Sequence, residues 1–126
     1  MARSGLILFA HGARDPRWAE PFERLRRKVG AASPATAVAL AYLEFMTPDL
    51  ESAAADLIAQ GCATLHIVPI FLGQGGHVRQ DLPALVARVQ AAHPGVPIAL
   101  QMAVGEDERV LDRIAEVCVG GLPTGR

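Results

Sequence analysis

LILFAHG, residues 6–12, joins a short apolar run to a histidine and a glycine. The run from Leu6 to Ala10 contains no polar residue, which is typical of a strand buried on both faces of a parallel sheet. His11 follows the run directly, and Gly12 allows the backbone to turn there without a side chain in the way. The stretch therefore predicts a buried strand that places His11 at the working edge of a sheet.

Downstream, the alternation of strand and helix continues to the end of the chain. Apolar runs predict further strands within Thr36–Leu43, Thr64–Leu72 and Val96–Val104, with Pro69 marking the end of the third strand or a distortion in it. Apolar residues at helical spacing predict a helix after each strand: Trp18, Phe22, Leu25 and Val29; Leu50, Ala54, Leu57 and Ile58; Leu82, Leu85, Val86 and Val89; and Val110, Leu111, Ile114 and Val117. Since crossovers between parallel strands are right-handed and must cover the sheet, this order predicts a single α/β domain, residues 1–126, with a four-stranded parallel sheet flanked by helices on both faces.

Turn and capping residues predict where these helices begin and end. The predicted boundary residues are Gly30 (end of the first helix), Thr47, Pro48 and Asp49 (start of the second), Gly61 (its end), Asp81 (start of the third) and Gly120 (after the last). They supply a capping hydroxyl, a proline at the first helical position, carboxylates near the positive end of a helix dipole, and glycines that stop helices. The tail after about Leu122 is expected to be disordered.

Composition excludes several classes of protein. The formal net charge of −1 gives no global field that would attract nucleic acid or an anionic membrane. No apolar stretch reaches about 18 residues and no signal peptide is recognised, so no membrane association is predicted. Cys62 and Cys118 are too few for a disulfide framework and are expected to be small buried hydrophobes, which predicts a reducing, cytoplasmic location.

Three residues that can bind metal or move protons occur where predicted strands end. His11 follows the first strand, Glu44 the second, and His77 comes shortly after the third. Because ligands bind beyond the carboxyl ends of the strands in such sheets, we expect these side chains to lie there. Two imidazoles and a carboxylate suit a first-row divalent metal and suit acid–base catalysis equally, and their spacing does not decide between the two. His66, inside the third strand, is interpreted as a structural imidazole, and His93 as a contact with a helix dipole.

Three motifs together carry a family resemblance: HGARDPR at 11–17, LEFMTPDL at 43–50 and PIFLGQGGHVRQDLP at 69–83. With these motifs the chain resembles the short form of the sirohydrochlorin cobaltochelatase family, the class II chelatases related to sirohydrochlorin ferrochelatase and nickelochelatase. The similarity extends from the first strand into the last helix. It implies a chelatase-like, Rossmann-like three-layer domain, and it implies a homodimer, because two-domain relatives contain two such halves.

The resemblance also implies a reaction, the ATP-independent insertion of a divalent metal ion into the tetrapyrrole sirohydrochlorin for cobalamin or siroheme biosynthesis. Cobalt is the expected metal, with nickel and iron as alternatives, and neither a nucleotide nor an iron–sulfur cluster is expected. His11 and His77 match the metal-binding histidines, His11 also matches the proton acceptor, and Glu44 matches a carboxylate on the substrate side. The stretch that is expected to lie against the macrocycle comprises Phe71, Leu72, Gly73, Gln74, Gly75 and Gly76.

These residue types suit metal insertion. The reaction removes two pyrrole protons and strips water from the metal, so it needs a nearby base and exchangeable ligands such as imidazole. Arg14, Arg17 and Arg79 are candidates to bind the carboxylates of sirohydrochlorin through paired hydrogen bonds, although Arg17 and Arg79 equally suit surface positions beside helices. The alternative function is a metal or tetrapyrrole carrier that uses the same histidines without turnover.

Other α/β enzymes fit the sequence less well. A histidine phosphatase needs an arginine directly before the histidine, where this chain has Ala10. A dinucleotide-binding GxGxxG motif needs a glycine at the position of Val78. A serine hydrolase is excluded because the chain has no GxSxG motif.

Overall fold

The computed structural model describes residues 3–123, apart from the side chains of His77 and Arg79. The strands are β1 (Arg3–Ala10), β2 (Ala37–Tyr42), β3 (Cys62–Pro69) and β4 (Ile98–Leu100). The α-helices are α1 (Glu20–Ala32), α2 (Leu50–Ala59), α3 (Gly76–Ala92) and α4 (Glu108–Gly120), and short 3₁₀ helices span Pro16–Ala19 and Val104–Glu106. The strands form one sheet in the order β2-β1-β3-β4, and every neighbouring pair is parallel. The predicted α/β fold with a four-stranded parallel sheet is confirmed.

Helices lie on both faces of the sheet, as predicted, and each face has its own core. α2 and α3 pack on one face, where Ile7 and Phe9 of β1 and Ile67 of β3 are fully buried. α1 packs on the other face, over Leu8 and Leu40. Because successive residues of β1 point into two different cores, the strand is apolar without interruption.

The first helix differs from its prediction at the end. α1 continues to Ala32, so the prediction that Gly30 ends it is wrong. A glycine inside a helix costs about 1 kcal/mol relative to alanine, but Ala31 and Ala32 are the best helix formers and continue the helix. The helix ends before Pro34, which disfavours helical backbone at the residue that precedes it.

The second helix begins later than predicted. Its N-cap is Asp49 and not Thr47, and Pro48 precedes the helix instead of taking its first position. A carboxylate oxygen of Asp49 accepts a hydrogen bond from the N–H of Ser52 at 2.8 Å, and this bond lowers the pKa of Asp49 below 3.8. Gly61 follows the end of α2 with φ +99°, a conformation that glycine adopts without strain, so its prediction as the stop is confirmed.

The third and fourth helices both extend beyond their predicted bounds. α3 begins at Gly76 and not near Asp81, so it includes the end of the glycine-rich motif and encloses Pro83. His93 is the C-cap residue of α3, at the helix end where it was predicted. α4 includes Gly120 and does not close before it.

Three further predictions concern single residues and the tail. Cys62 is buried as predicted, whereas Cys118 lies on α4 and is exposed, so its predicted burial is wrong. His66 is exposed, but its Nε2 lies 2.9 Å from Oε1 of Gln101, so it has a polar partner. Of the tail predicted to be disordered, residues 124–126 lie outside the described residues. Within residues 3–123, no helix has the length and apolar character needed to cross a membrane.

Candidate active site

Strand pairing brings His11 and Glu44 together at the carboxyl edge of the sheet. β1 and β2 pair in register up to Ala10 and Tyr42. The pairing continues beyond the strands, because the Leu43 N–H donates to the carbonyl oxygen of Ala10 at 2.9 Å and the Glu44 N–H donates to that of His11 at 3.1 Å. Nε2 of His11 lies 3.2 Å from Oε1 of Glu44, and the two side chains are 49% and 47% exposed. The predicted pair is therefore assembled, and it is open to a ligand.

Gly12 permits this close approach of the two strand ends. Its φ is +92°, and a Cβ at this position would overlap the carbonyl oxygen of Glu44 and lie 3.0 Å from its carbonyl carbon. Carbon atoms in ordinary contact are about 3.5–4.0 Å apart. Any residue other than glycine would therefore push the Glu44 segment away from His11.

Phe71 packs behind the imidazole of His11. The two ring centroids are 6.1 Å apart in an edge contact, and Phe71 makes a second edge contact with Phe9 at the same centroid distance. Phe71 is only 5% exposed, so its ring belongs to the core while its contact restricts the position of His11. The Gly105 N–H donates to the carbonyl oxygen of Phe71 at 2.9 Å and fixes the backbone at this point.

The exposed part of the predicted macrocycle-binding stretch begins at Leu72. The side chain of Leu72 is 63% exposed, Gly73 and Gly75 are exposed, and Gln74 is half-buried. Gly105 lies directly behind this loop, because a Cβ there would overlap the carbonyl oxygen of Leu72. The loop therefore presents one exposed apolar side chain and otherwise mainly backbone, a surface that a flat ring can approach closely.

Arg14 and Phe45 follow His11 and Glu44 in their respective loops and contact each other. The guanidinium carbon of Arg14 lies 4.6 Å from the centroid of the Phe45 ring, a cation–π contact. Phe45 is 56% exposed and has φ +65°, which is unusual for a bulky residue. Among the described side chains Arg14 has no carboxylate partner, whereas Arg17 is paired with Asp15. Arg14 is therefore better placed than Arg17 to receive a substrate carboxylate.

His77 lies in the first turn of α3, at the same edge of the sheet as His11. The connection from β3 to α3 is short, and β3 ends beside β1, because the Ile70 N–H donates to the carbonyl oxygen of Phe9 at 2.8 Å. The side chain of His77 lies outside the described part of the structure. Among the side chains that are described, no three His, Cys, Asp or Glu residues are grouped closely enough to hold a metal ion. Of the candidate residues, the described side chains therefore bring together two potential donors, His11 and Glu44.

Sequence reasoning missed Phe45 and Gly105 as parts of this edge. Phe45 directly follows Glu44 in the second motif, but its contact with Arg14 depends on the packing of two separate loops. Gly105 is distant in sequence from Leu72, and the available signal was its position just after the fourth predicted strand.

A model of the CbiX family matches residues 5–118, from β1 into α4. The chain belongs to the CbiX family. The "Sirohydrochlorin cobaltochelatase" of Methanocaldococcus jannaschii is 26% identical, and the alignment covers 91% of this chain and 97% of that protein. The protein of the same name from Sulfurisphaera tokodaii is 27% identical, and the alignment covers 89% of this chain and 88% of that protein. The predicted family resemblance is confirmed, and the CbiX chain is an enzyme of the chelatase class.

Solved structures share the fold of this CbiX protein. The "cobalamin (vitamin B12) biosynthesis CbiX protein" from Marinobacter aquaeolei VT8 superposes with a TM-score of 0.82 at 35% identity, over 93% of this chain and 95% of that chain. The sirohydrochlorin chelatase SirB from Bacillus subtilis subspecies spizizenii, solved in complex with cobalt, gives a TM-score of 0.81 at 21% identity. The structure of SirB from Bacillus subtilis with Fe3+ gives a TM-score of 0.80 at 22% identity. These two alignments cover 94% and 96% of this chain but only 51% and 48% of the SirB chains, so this chain spans about half their length.

Proposed function

We propose that this CbiX chain inserts a divalent metal ion, in the first place cobalt, into sirohydrochlorin without ATP. The observation that carries the proposal is the His11–Glu44 pair, held at the edge of the sheet with 3.2 Å between Nε2 and Oε1. The family members named for this reaction support the tetrapyrrole substrate and cobalt. The SirB structures with cobalt and with Fe3+ support a site that accepts more than one transition metal, so nickel and iron are the alternative substrates.

His11 and His77 are the proposed metal ligands. Imidazole suits cobalt, nickel and iron, and two histidines leave coordination positions for water and then for pyrrole nitrogens, so the ion can leave the protein. Oε1 of Glu44 is near enough to Nε2 of His11 for the carboxylate to share the ion with the imidazole. Insertion releases two pyrrole protons: once the ion has left Nε2 of His11 for the macrocycle, that nitrogen can accept one of them, with Glu44 stabilising the imidazolium, and the other proton passes to water.

Arg14 and the loop after β3 are the proposed macrocycle-binding elements. The guanidinium of Arg14 binds a carboxylate of sirohydrochlorin through paired hydrogen bonds. Leu72 places an apolar side chain against the ring, and Phe71 supports His11 from the core. The remaining contacts come from Gly73, Gln74, Gly75 and Gly76, which bring the backbone close to the macrocycle.

We also propose that two copies of the chain pair, and that they act in the cytoplasm. The pairing is supported by the length of the SirB chains, which have this fold and are about twice as long. The cytoplasmic location is supported by Cys62 and Cys118, which are free thiols as in proteins of reducing compartments.

A multiple-turnover assay tests the proposed reaction. Purified chain is mixed with an excess of sirohydrochlorin and Co2+, and insertion is followed by the change in absorbance. We expect many metallated macrocycles per chain, no insertion by His11→Ala, and weaker Co2+ binding by His77→Ala. The matched control is His93→Ala, which removes an imidazole at the opposite end of α3. Conversion that stops at one macrocycle per chain would identify a carrier, and a wild-type rate for His11→Ala would contradict its role.

A further inference from the structure

Phe45 is the central residue of a tight turn that follows β2. The Met46 N–H donates to the carbonyl oxygen of Glu44 at 2.8 Å, and Phe45 between them has φ +65°. A hydrogen bond across one residue with positive φ is typical of the rarer and more strained form of the γ-turn. Glycine, asparagine and aspartate adopt positive φ more readily than a bulky aromatic residue does. The chain therefore has a phenylalanine where the backbone conformation disfavours it, and such positions cluster at functional sites.

The residues on either side of this turn are anchored in the two cores. Leu43 packs against the core that α2 and α3 cover, and Met46 packs against the core beneath α1. Glu44 and Phe45 lie between these anchors and are exposed, with Phe45 56% exposed. Because the stabilisation gained from an apolar side chain grows with the area removed from water, most of the Phe45 ring contributes nothing to the core. The ring is therefore available for contacts at the site.

The contact that this ring makes is with the guanidinium of Arg14. The guanidinium carbon lies over the Phe45 ring, 4.6 Å from its centroid. A ring face attracts the positive charge of arginine but is not a carboxylate, so the N–H groups of Arg14 remain available for a carboxylate of a ligand. Arg17 shows the contrast, because Nε and Nη2 of Arg17 donate to the carboxylate of Asp15 at 3.1 and 2.7 Å. Phe45 therefore restrains a guanidinium without occupying it in a salt bridge.

Restraint of Arg14 favours binding in two ways. Arginine has one of the largest rotamer entropies of all side chains, and ordering such a side chain during binding lowers the affinity. A guanidinium that already rests on Phe45 has lost part of this freedom before the ligand arrives. Its position is also tied to the metal site, because Phe45 adjoins Glu44 in the same turn and Oε1 of Glu44 lies 3.2 Å from Nε2 of His11.

We propose that Phe45 is a positioning residue that holds the guanidinium of Arg14 ready for a peripheral carboxylate of the tetrapyrrole. The contact between Arg14 and that carboxylate then fixes the rotation of the macrocycle relative to His11. The inference rests on the proposed function, in which Arg14 binds a carboxylate of sirohydrochlorin, and adds the residue that orients Arg14. Because Phe45 acts through Arg14, removal of its ring should affect binding only while Arg14 is present.

A double-mutant cycle on the binding of metal-free sirohydrochlorin tests this dependence. The dissociation constant is measured for the wild type, Arg14→Gln, Phe45→Leu and the double variant. Leucine is apolar and has the same difficulty with positive φ, so Phe45→Leu removes the aromatic ring alone. We expect Phe45→Leu to raise the dissociation constant about two- to fivefold and Arg14→Gln to raise it about 10- to 100-fold. In the Arg14→Gln background, Phe45→Leu should have no further effect, and additive effects would overturn the inference.

Further substitutions distinguish positioning from a structural role. Phe45→Tyr keeps the aromatic face and should bind sirohydrochlorin like the wild type. Phe45→Asn relieves the backbone but lacks the ring, so it should bind as weakly as Phe45→Leu without any loss of free energy of unfolding in urea. The matched control is Met102→Ala, because Met102 is 65% exposed beyond β4, at the opposite end of the sheet from β2. Its effect should be the same with and without Arg14. Weaker binding only in variants that lose stability would contradict the positioning role.

Nuclear magnetic resonance tests the contact in the protein without any ligand. The side-chain protons of Arg14 nearest the guanidinium should be shifted upfield by the ring current of Phe45 in the wild type. The shift should persist in Phe45→Tyr and disappear in Phe45→Leu. Random-coil chemical shifts for these protons in the wild type would show that the ring does not hold Arg14, and they would overturn the inference.

The turnover assay separates a failure of this inference from a failure of the proposed function. In that assay, Phe45→Leu should raise KM for sirohydrochlorin and leave kcat unchanged, whereas a lower kcat at unchanged KM would contradict positioning. Coupled dissociation constants without metal insertion would leave the positioning role standing and refute the chelatase reaction. Insertion together with additive effects in the cycle would refute the positioning role alone. A wild-type chain that does not bind sirohydrochlorin would refute both.

Discussion

Replacing Gly12 by alanine tests whether close backbone contact holds the His11–Glu44 pair. A residue with a side chain at φ +92° costs about 1–2 kcal/mol. The new Cβ would overlap the carbonyl oxygen of Glu44, so that segment must move by about 1 Å or more. The movement weakens the hydrogen bond from the Glu44 N–H to the carbonyl oxygen of His11, which is worth about 1 kcal/mol. We therefore expect Gly12→Ala to lower the free energy of unfolding by about 2–3 kcal/mol.

Gly61→Ala is the matched control, because Gly61 has φ +99° and no atom within 4 Å of an added Cβ. It carries the same backbone cost, about 1–2 kcal/mol, without the overlap. Urea denaturation gives the free energy of unfolding of both variants, and the difference between them is the cost of the overlap. The insertion assay shows the effect of the overlap on the site. Gly61→Ala should insert metal at the wild-type rate, whereas a shift of about 1 Å in Glu44 should slow Gly12→Ala by about 100-fold. Equal losses of stability together with wild-type insertion by Gly12→Ala would refute the reasoning.

Three other predictions distinguish residues of the candidate site from residues that stabilise the fold. Glu44→Gln should weaken Co2+ binding in calorimetry, yet change the free energy of unfolding by less than about 1 kcal/mol, because the pair is half-exposed; unaltered affinity would contradict its role. Asp49→Ala should destabilise α2 by about 1 kcal/mol at neutral pH. Since the pKa of Asp49 is lowered from 3.8 in the folded state, this difference should be lost as the pH falls below 3.8, and a pH-independent difference in urea titrations would contradict the cap. Leu57→Ala should lower the free energy of unfolding by about 2–5 kcal/mol because Leu57 is buried. Leu72→Ala should leave the free energy of unfolding unchanged and weaken sirohydrochlorin binding, because Leu72 is exposed. The reverse result would show that the macrocycle does not bind at Leu72.

The sequence was sufficient to predict the order of elements and the proximity of two residues of the candidate site, His11 and Glu44. The apolar run of β1 indicates a strand buried on both faces, and His11 follows that strand at the carboxyl edge of the sheet. Since β1 and β2 are neighbours in a parallel sheet, residues that directly follow them must lie close together, which is why Glu44 meets His11. These inferences depend only on local pattern and on the rules of parallel sheets.

Features that depend on contacts between distant segments could not be predicted. The requirement for glycine at position 12 comes from the carbonyl oxygen of Glu44, and the contact of Phe45 with Arg14 joins two separate loops. The prediction of a helix end was wrong at Gly30. Glycine has a low intrinsic helix propensity, but the two alanines that follow it have a high one and continue the helix.

α4 illustrates a different limit. Its apolar spacing predicted a helix, and the helix forms at Glu108–Gly120. The pattern does not say what the apolar face contacts, because in this chain no described residue buries it. The predicted burial of Cys118 fails for the same reason.

The central claim is that His11 and His77 hold one metal ion between them at the carboxyl edge of the sheet. Anomalous diffraction at the cobalt edge, from crystals of the chain grown with Co2+, tests this claim most directly. We expect one cobalt peak per site, bonded to a ring nitrogen of each of these two histidines. Cobalt bound to only one of them, or two separate cobalt peaks with one histidine each, would contradict it.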